Sequence, residues 1–394
     1  MNRNLALLSI SQALMITCTS LMLTTSALVG RILADNKALA TLPFALLFLS
    51  QMLSTIPASL YMGKVGRRMG FITGTLFALT GAMVTTAAVL RGNFTLFCLG
   101  TALIGVFNGF GQYYRFAAAE VCSAEYRSRA ISYVLAGGVM AAFVGPNLAN
   151  WSRQALSVEF AGCFTSLIAL YFLSLCMAFL FRMPRPVRLT GEHGGRPLIE
   201  IARQRAYIVA VVSAMVGYGA MNFIMIATPL AMHHLAHPFA DTAFVIQWHV
   251  FGMFVPSFFS GHLIRRFGTA NVMLAGILLI GLCLGMNLAG TSVIHFWAAL
   301  LLLGLGWNFL FLGATTLVTE TYEAGEKSKA QALNDFMVFG TVSVTSFSSG
   351  AVQHALGWQT INLAVIPFLA LVLVANLWLR RKPKQQIHPN ISSY

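Results

Sequence analysis

Apolar runs long enough to cross a bilayer follow one another along almost the whole chain, separated by short polar segments. A transmembrane helix needs about 20 consecutive, predominantly apolar residues. The pattern therefore predicts an all-α polytopic membrane protein with twelve transmembrane helices. The predicted spans lie near 5–30, 40–62, 70–90, 94–114, 130–150, 159–181, 206–230, 241–260, 270–290, 296–318, 331–352 and 359–379.

Basic residues are distributed unevenly between the two sides of these spans. An even number of spans places both termini on one side of the membrane. If that side is the cytoplasm, the basic residues on the opposite side are Arg31, Lys37, Arg91 and Arg153, and all others are cytoplasmic. Cytoplasmic loops carry an excess of Lys and Arg, so the sequence predicts that both termini are cytoplasmic.

The composition excludes an ordinary soluble protein. Of the 394 residues, 57% are hydrophobic and 9% are charged, and the mean hydropathy is +0.75. The net charge of +14 follows from the cytoplasmic loops, so we predict no nucleic-acid partner. The six cysteines lie within or directly after apolar runs, which indicates no disulfide framework. The chain has no hydrolase triad, Walker or zinc-hydrolase spacing, and we predict that it is not an enzyme.

The longest polar segment divides the twelve spans into six and six. It carries six arginines together with Pro and Gly residues, a composition that does not build a packed core. Its end, near 197–205, is either an amphipathic stretch on the membrane surface or part of an unstructured linker. The predicted organisation is an N-terminal half at 1–181, a cytoplasmic linker at 182–205, a C-terminal half at 206–380 and a cytoplasmic tail at 381–394.

The two halves repeat each other in sequence. The segment 63–70 after the second span matches 261–268 after the eighth, at an offset of 198 residues. Further on, Glu120 aligns with Glu320 and Asn108 with Asn308, at an offset of 200. Repeated six-helix halves are typical of transporters.

With these features the chain resembles the major facilitator superfamily over its whole length. The loops after spans two and eight are similar to that family's Gly-rich basic loop, with Gly63 in place of the usual aspartate. The resemblance implies two pseudo-symmetric six-helix bundles, the major facilitator fold. Charges near these loops are predicted either to stabilise the state closed to the cytoplasm or to act as independent solvated groups. They are Arg67, Arg68, Glu120, Arg265, Arg266, Glu320 and Asp335.

Spans seven and eight each carry a pair of side chains that bind soft metals. Met221 and Met225 lie four residues apart, as do His249 and Met253, so each pair points from one face of a helix. Counted from the outer helix ends, Met221 and His249 reach a similar depth. Thioethers favour Cu(I), and imidazole accepts either copper oxidation state. The four residues therefore predict a copper site, whereas the alternative is apolar packing by methionine.

These paired motifs resemble those of the CcoA-type copper importers, a bacterial branch of the superfamily. The resemblance implies alternating-access import of copper across the bacterial cytoplasmic membrane, supplying assembly of cbb3-type cytochrome c oxidase. Copper is then a substrate, and no permanently bound cofactor is predicted. We further predict a monomer in the lipid bilayer. The alternatives are an organic-solute transporter for riboflavin or a drug, and a non-transporting copper receptor.

Two further groups of polar residues are candidates for the transport path. A histidine cluster in the outer loop between spans seven and eight either captures metal or is merely polar; it consists of His233, His234 and His237. Amide side chains within spans either line a cavity or make polar contacts between helices; they are Asn108, Asn222, Gln247 and Asn308.

Overall fold

The computed structural model of the chain describes residues 3–114, 117–118, 121–122, 127–183, 195–323 and 326–380. The N-terminal half contains α1 (Arg3–Leu33), α2 (Leu42–Val65), α3 (Arg67–Arg91), α4 (Phe94–Gly111), α5 (Arg127–Ser152) and α6 (Ala161–Leu180). The short helix α7 (Leu198–Ala202) precedes the C-terminal half. That half contains α8 (Arg205–His234), α9 (Phe239–Phe254), α10 (Ser257–Phe267), α11 (Thr269–Ala289), α12 (Val293–Thr319) and α13 (Lys327–Arg380).

These helices account for the twelve predicted spans. Among the described residues nine helices are long and apolar enough to cross a membrane, and α9 with α10 makes a tenth crossing. Helix α13 has 54 residues, which is about 81 Å of helix and more than twice the thickness of the hydrocarbon layer. Because its backbone also leaves the helical conformation at Gly357 (φ 78°), α13 crosses the membrane twice. The 26 residues of α5, about 39 Å of helix, supply the last span.

Helices pack in the same scheme in both halves. In the first half α1 packs on α5, while α4 packs on α2 and α3. In the second half α8 packs on the first part of α13, while α12 packs on α9 and α11. The halves meet where α2 contacts α13 and where α5 contacts α9. This repeated arrangement is the major facilitator fold, as predicted.

Large apolar side chains remain exposed on the outside of this bundle. Leu60, Met140 and Val344 are 65%, 68% and 66% exposed. A soluble protein buries contiguous apolar surface of this kind, whereas a bilayer solvates it. Exposed apolar side chains of this kind are consistent with a protein surrounded by lipid.

The loops after the second and eighth spans match at a different offset from the one that the sequence predicts. Each loop turns at a glycine with positive φ, at Gly66 (φ 92°) and at Gly268 (φ 84°), a conformation that side chains with a Cβ rarely adopt. These turns are 202 residues apart rather than 198. As a result Arg67 and Arg68 begin α3, whereas the arginines at 265 and 266 end α10. The paired arginines resemble each other in sequence but lie on opposite sides of their turns.

The eighth span bends by 44° between α9 and α10, next to Pro256, which has no N–H for helix bonding. Asn308 of α12 braces this bend. Its Nδ2 donates to the Met253 carbonyl at 2.8 Å and to Ser257 Oγ at 2.7 Å, while its Oδ1 accepts from Ser260 Oγ at 2.7 Å. Asn308 was predicted as a possible cavity residue, and its amide joins helices of one half.

We expect Asn308→Leu to destabilise the folded protein by about 2 kcal/mol, because three hydrogen bonds worth about 0.6–1 kcal/mol each are lost. The measurement is thermal unfolding of the purified protein in detergent. Asn108→Leu is the matched control, since Asn108 is buried and its Oδ1 has no hydrogen-bond partner among the described residues. Equal destabilisation by both substitutions would show that the brace does not contribute.

Candidate substrate pathway between the two halves

Polar contacts hold the halves together at the ends that the predicted orientation places outside, here called the outer ends. Thr41, directly before α2, donates from Oγ1 to the Phe347 carbonyl at 3.3 Å and accepts from the Gly350 N–H at 3.1 Å. On the other side of the bundle Asn147 Nδ2 of α5 donates to Gln247 Oε1 of α9 at 2.6 Å. Gln247, a predicted cavity residue, thus contacts the opposite half.

Aromatic and charged side chains extend this outer contact. The Phe160 and Phe239 rings lie 5.4 Å apart, edge to face, and the Arg153 guanidinium lies 5.3 Å and 4.9 Å from their centroids. Arg153 Nε also donates to Glu159 at 2.6 Å, so its charge is paired. A cation over aromatic rings adds to packing. The halves are therefore in contact at the ends that the predicted orientation places outside.

The four residues of the predicted copper site are buried in the C-terminal half. The side chains of Met221, Met225 and Met253 belong to the apolar core. His249 Nδ1 lies 2.8 Å from the Leu300 carbonyl of α12, while its Nε2 has no partner among the described residues. Helix α8 packs mainly on α13 and α12, whereas α9 packs mainly on α12 and α5. Both motif helices thus pack against their own half, and α9 also packs against α5 of the N-terminal half.

The three histidines of the predicted capture site line different surfaces. His234 lines a cavity of about 610 Å³ at the outer ends of α1 and α8 and at the kink of α13, whereas His233 and His237 line a neighbouring cavity of about 370 Å³. His237 Nε2 is also 2.8 Å from the Thr291 carbonyl. Among the described residues, no three His, Cys, Asp or Glu side chains form a group able to hold a metal.

The charges predicted to control the cytoplasmic side have varied surroundings. Arg67 lies 5.3 Å from the Tyr113 ring centroid, and Arg68 donates to the Phe179 carbonyl at 2.8 Å. Arg266 stacks over Phe267. Of the remaining residues, Glu320 is exposed, Arg265 ends α10, and Asp335 Oδ1 accepts from Asn334 Nδ2 at 3.1 Å. Glu120 lies outside the described residues.

An ion pair that the sequence did not predict joins the linker to the start of α13. Arg196 donates from Nε and Nη2 to the two Glu326 oxygens at 3.0 and 2.7 Å, and its backbone N–H donates at 2.6 Å. The Glu326 side chain is 1% exposed. The Arg196 guanidinium lowers the pKa of this carboxyl to about 2. In the sequence Glu326 is one of three acidic residues shortly before an apolar run, and sequence spacing does not connect it to an arginine 130 residues away.

This pair predicts a specific pH dependence. Because the folded pKa of Glu326 is about 2, below the ordinary value of 4.5, its stabilisation is fully present above pH 4.5 and is lost as the pH falls toward 2. We expect Glu326→Gln to lower the melting temperature at pH 7 and to flatten its decline below pH 4.5. Thermal unfolding at several pH values measures both. The exposed Glu320→Gln is the control, and parallel pH profiles for wild type and Glu326→Gln would contradict the assignment.

Four aromatic side chains from three helices meet at mid-membrane depth in the C-terminal half. Tyr218 lies near the middle of α8, and its ring is 5.3 Å from both Trp307 and Phe311 and 6.1 Å from Phe339. The Trp307 and Phe311 rings are stacked 5.1 Å apart with an interplanar angle of 10°. Helices α8 and α13 both contact the N-terminal half. We call these four residues the aromatic cluster.

The aromatic cluster was missed because its three helices are far apart in the chain and its members resemble ordinary apolar residues of a span. The buried Trp307 Nε1 has no partner among the described residues. An indole N–H usually finds an acceptor when buried. Planar rings with an available donor are suited to a flat, polar, aromatic solute.

Asn222, one helical turn beyond Tyr218, joins α8 to α13. Its Nδ2 donates to Ser346 Oγ at 2.7 Å and to the Val342 carbonyl at 3.2 Å. The side chain is fully buried. Asn222 was a predicted cavity residue, and in the structure it makes the interhelical contacts that were the alternative.

The chain matches the Major Facilitator Superfamily over residues 5–246 and 209–393, so both halves carry the family pattern. The protein belongs to the Major Facilitator Superfamily. It is similar to riboflavin transporter RfnT of Brucella anthropi, with 42% identity over 385 residues that cover 97% of this chain and 96% of that protein. It is also similar to the MFS-type transporter YdeG of Bacillus subtilis, with 29% identity, 95% of this chain and 89% of that protein.

Among solved structures, the human organic anion transporter MFSD10 (TETRAN) has a similar fold. The TM-score is 0.68 at 14% sequence identity, and the match covers 95% of this chain and 99% of that one. Together with the family match, this similarity confirms the major facilitator fold. The protein is a multi-pass membrane transporter of this superfamily.

The prediction of copper import is wrong. A relative that is 42% identical over nearly the whole of both chains is a riboflavin transporter, which favours the organic-solute alternative. The physical reason lies in the motifs: a four-residue spacing places two side chains on one helix face but does not say what that face meets. Here the methionines pack in an apolar core and one His249 nitrogen faces a backbone carbonyl.

Proposed function

We propose that this carrier imports riboflavin across the bacterial cytoplasmic membrane by alternating access, with both termini in the cytoplasm. The observation that carries the proposal is its 42% identity to a riboflavin transporter along essentially the full length of both chains. Riboflavin is then the transported substrate and leaves the protein unchanged. Transport requires no permanently bound cofactor, and a monomer suffices because both halves lie in one chain.

The aromatic cluster supports this substrate. Riboflavin carries a planar isoalloxazine ring with carbonyl groups at one edge. Stacking of a heteroaromatic ring on an aromatic side chain contributes about 1–3 kcal/mol. Because Trp307 and Phe311 already stack on each other, riboflavin would stack on an outer face of this pair. The Trp307 N–H is available to donate to a ring carbonyl. The cluster lies near the bilayer midplane, where carriers of this kind bind substrate.

The test is uptake of radiolabelled riboflavin by proteoliposomes that contain the purified protein. We expect saturable, time-dependent accumulation that excess unlabelled riboflavin suppresses and that protein-free liposomes lack. An unrelated solute of similar size, such as a labelled disaccharide, is the specificity control. Accumulation no faster than in protein-free liposomes would contradict the proposal, provided that the melting temperature shows the reconstituted protein to be folded.

A further inference from the structure

Two of the four basic residues on the predicted outer side lie together in one cavity. The outer cavity, of about 610 Å³, is lined by Arg31, Lys37 and Ala40 from the N-terminal half and by residues of α8, the α11–α12 loop and α13 from the other half. Lys and Arg are depleted from the outer side of membrane proteins. Their concentration at one position where both halves meet therefore points to a role.

The two charged side chains that line the outer cavity are both basic. Its lining adds His234 and His354 to the two cations, and the described residues that line it include no Asp or Glu. Within the described part of the chain Arg31 makes no hydrogen bond or ion pair, and Lys37 Nζ donates to the Ala34 carbonyl at 2.7 Å. Arg31 and Lys37 also line the neighbouring cavity, where Arg153 is paired with Glu159. Arg31 therefore remains available for an anion.

The part of the lining that belongs to α13 includes uncharged polar groups. Gln353 and Trp358 line the cavity, and Gln353 Oε1 and Trp358 Nε1 are buried without a partner among the described residues. The Trp358 ring lies 5.2 Å from that of Phe296, which fixes its position. A ligand with an anionic group at one end and a flat or polar body at the other matches this lining.

We propose that the outer cavity binds phosphate esters, with the phosphate on Arg31 and Lys37 and the ester group toward Gln353 and Trp358. Arginine pairs with phosphate through parallel N–H donors, and lysine adds a point charge. Because the ligand contacts both halves, its binding stabilises the state in which the outer ends are together. Impermeant phosphate esters outside the cell thus slow uptake. This effect on uptake rests on the proposed riboflavin import, whereas binding does not.

Riboflavin 5′-phosphate is the probe, with binding measured by equilibrium dialysis against the protein in phosphatidylcholine nanodiscs. We expect Arg31→Gln combined with Lys37→Gln to weaken binding of the phosphate ester about ten-fold or more, the effect of losing at least one charge-assisted contact. Inorganic phosphate competes with the probe, and riboflavin itself, which lacks the phosphate, binds equally to both proteins. Equal affinity of wild type and double variant for the ester would overturn the proposal.

Arg91→Gln is the matched control, because Arg91 is an outer arginine at the end of α3 that does not line the cavity. It should leave affinity for riboflavin 5′-phosphate unchanged. The dialysis is repeated in nanodiscs of phosphatidylglycerol to identify the source of the phosphate. If riboflavin 5′-phosphate no longer binds there, lipid headgroups occupy the cavity; if it still binds, the cavity takes soluble phosphate esters.

Uptake tests the second part of the inference. External riboflavin 5′-phosphate should slow riboflavin uptake into proteoliposomes more strongly for the wild type than for the double variant. Equal slowing in both proteins would contradict the claim that the bound ester stabilises the closed state. The claim that the cavity binds the ester would still stand. If riboflavin is not transported at all, the dialysis result still decides whether the site exists, so the two proposals fail separately.

Discussion

Cross-linking position 147 to position 247 is expected to reduce riboflavin uptake to the level of protein-free liposomes. The Asn147 and Gln247 amides meet at 2.6 Å across the contact between α5 and α9, on the side where the halves are held together. Alternating access requires the halves to separate there. A covalent link prevents this separation, so substrate on the outside cannot enter.

The experiment uses Asn147→Cys with Gln247→Cys, in a background from which the six native cysteines have been replaced. A short, reducible thiol cross-linker is added, uptake is measured, and a reductant should restore it. The matched control is Asn287→Cys with Asn362→Cys, whose native amides meet at 2.8 Å within the C-terminal half. That link joins helices that move together, and uptake should continue. Normal uptake by fully cross-linked 147–247 protein would mean that this interface does not open.

Trp307→Ala is expected to lower riboflavin uptake at low substrate concentration by about ten-fold or more. Loss of one stacking contact removes about 1–3 kcal/mol of binding, and 1.4 kcal/mol corresponds to a factor of ten. Trp307→Phe keeps a ring but loses the indole N–H, and its uptake should lie between those of Trp307→Ala and the wild type. Initial uptake rates over a range of riboflavin concentrations separate the change in apparent affinity from the change in maximal rate.

Trp151→Ala is the control for this prediction, because Trp151 is of the same residue type but is 74% exposed at the outer end of α5. Its uptake should equal that of the wild type. Melting temperatures exclude loss of folding as the cause of a low rate. An unchanged apparent affinity in Trp307→Ala would show that the aromatic cluster is not part of the substrate site. The proposal that the protein imports riboflavin would still stand.

The outcome for the methionine and histidine motifs shows where local spacing stops being informative. Met221 and Met225 do share one side of α8, but that side is part of the apolar core. The histidines at 233, 234 and 237 are neighbours in sequence and yet line two cavities. Helical geometry predicts which residues point the same way. It does not predict which other helix they meet.

Polar residues within spans give a similar result. Asn222 and Asn308 were recognisable as unusual because an amide in an apolar helix needs a partner. Their partners, Ser346 and Ser257 among others, come from helices that the sequence could not place beside them. Both amides brace helices within one half, whereas Gln247 reaches the other half through Asn147.

The sequence by itself determined the number of spans, the position of the longest polar segment and the repetition of the two halves. It could do so because bilayer thickness demands apolar runs of a set length, and because a duplicated pattern is visible without knowing any contact. Only the tertiary structure decided the contacts among helices: the Arg196–Glu326 pair, the aromatic cluster and the outer cavity. In a bilayer, lipid and neighbouring helices are equally apolar, so hydropathy does not distinguish a side chain that faces lipid from one that faces the substrate path.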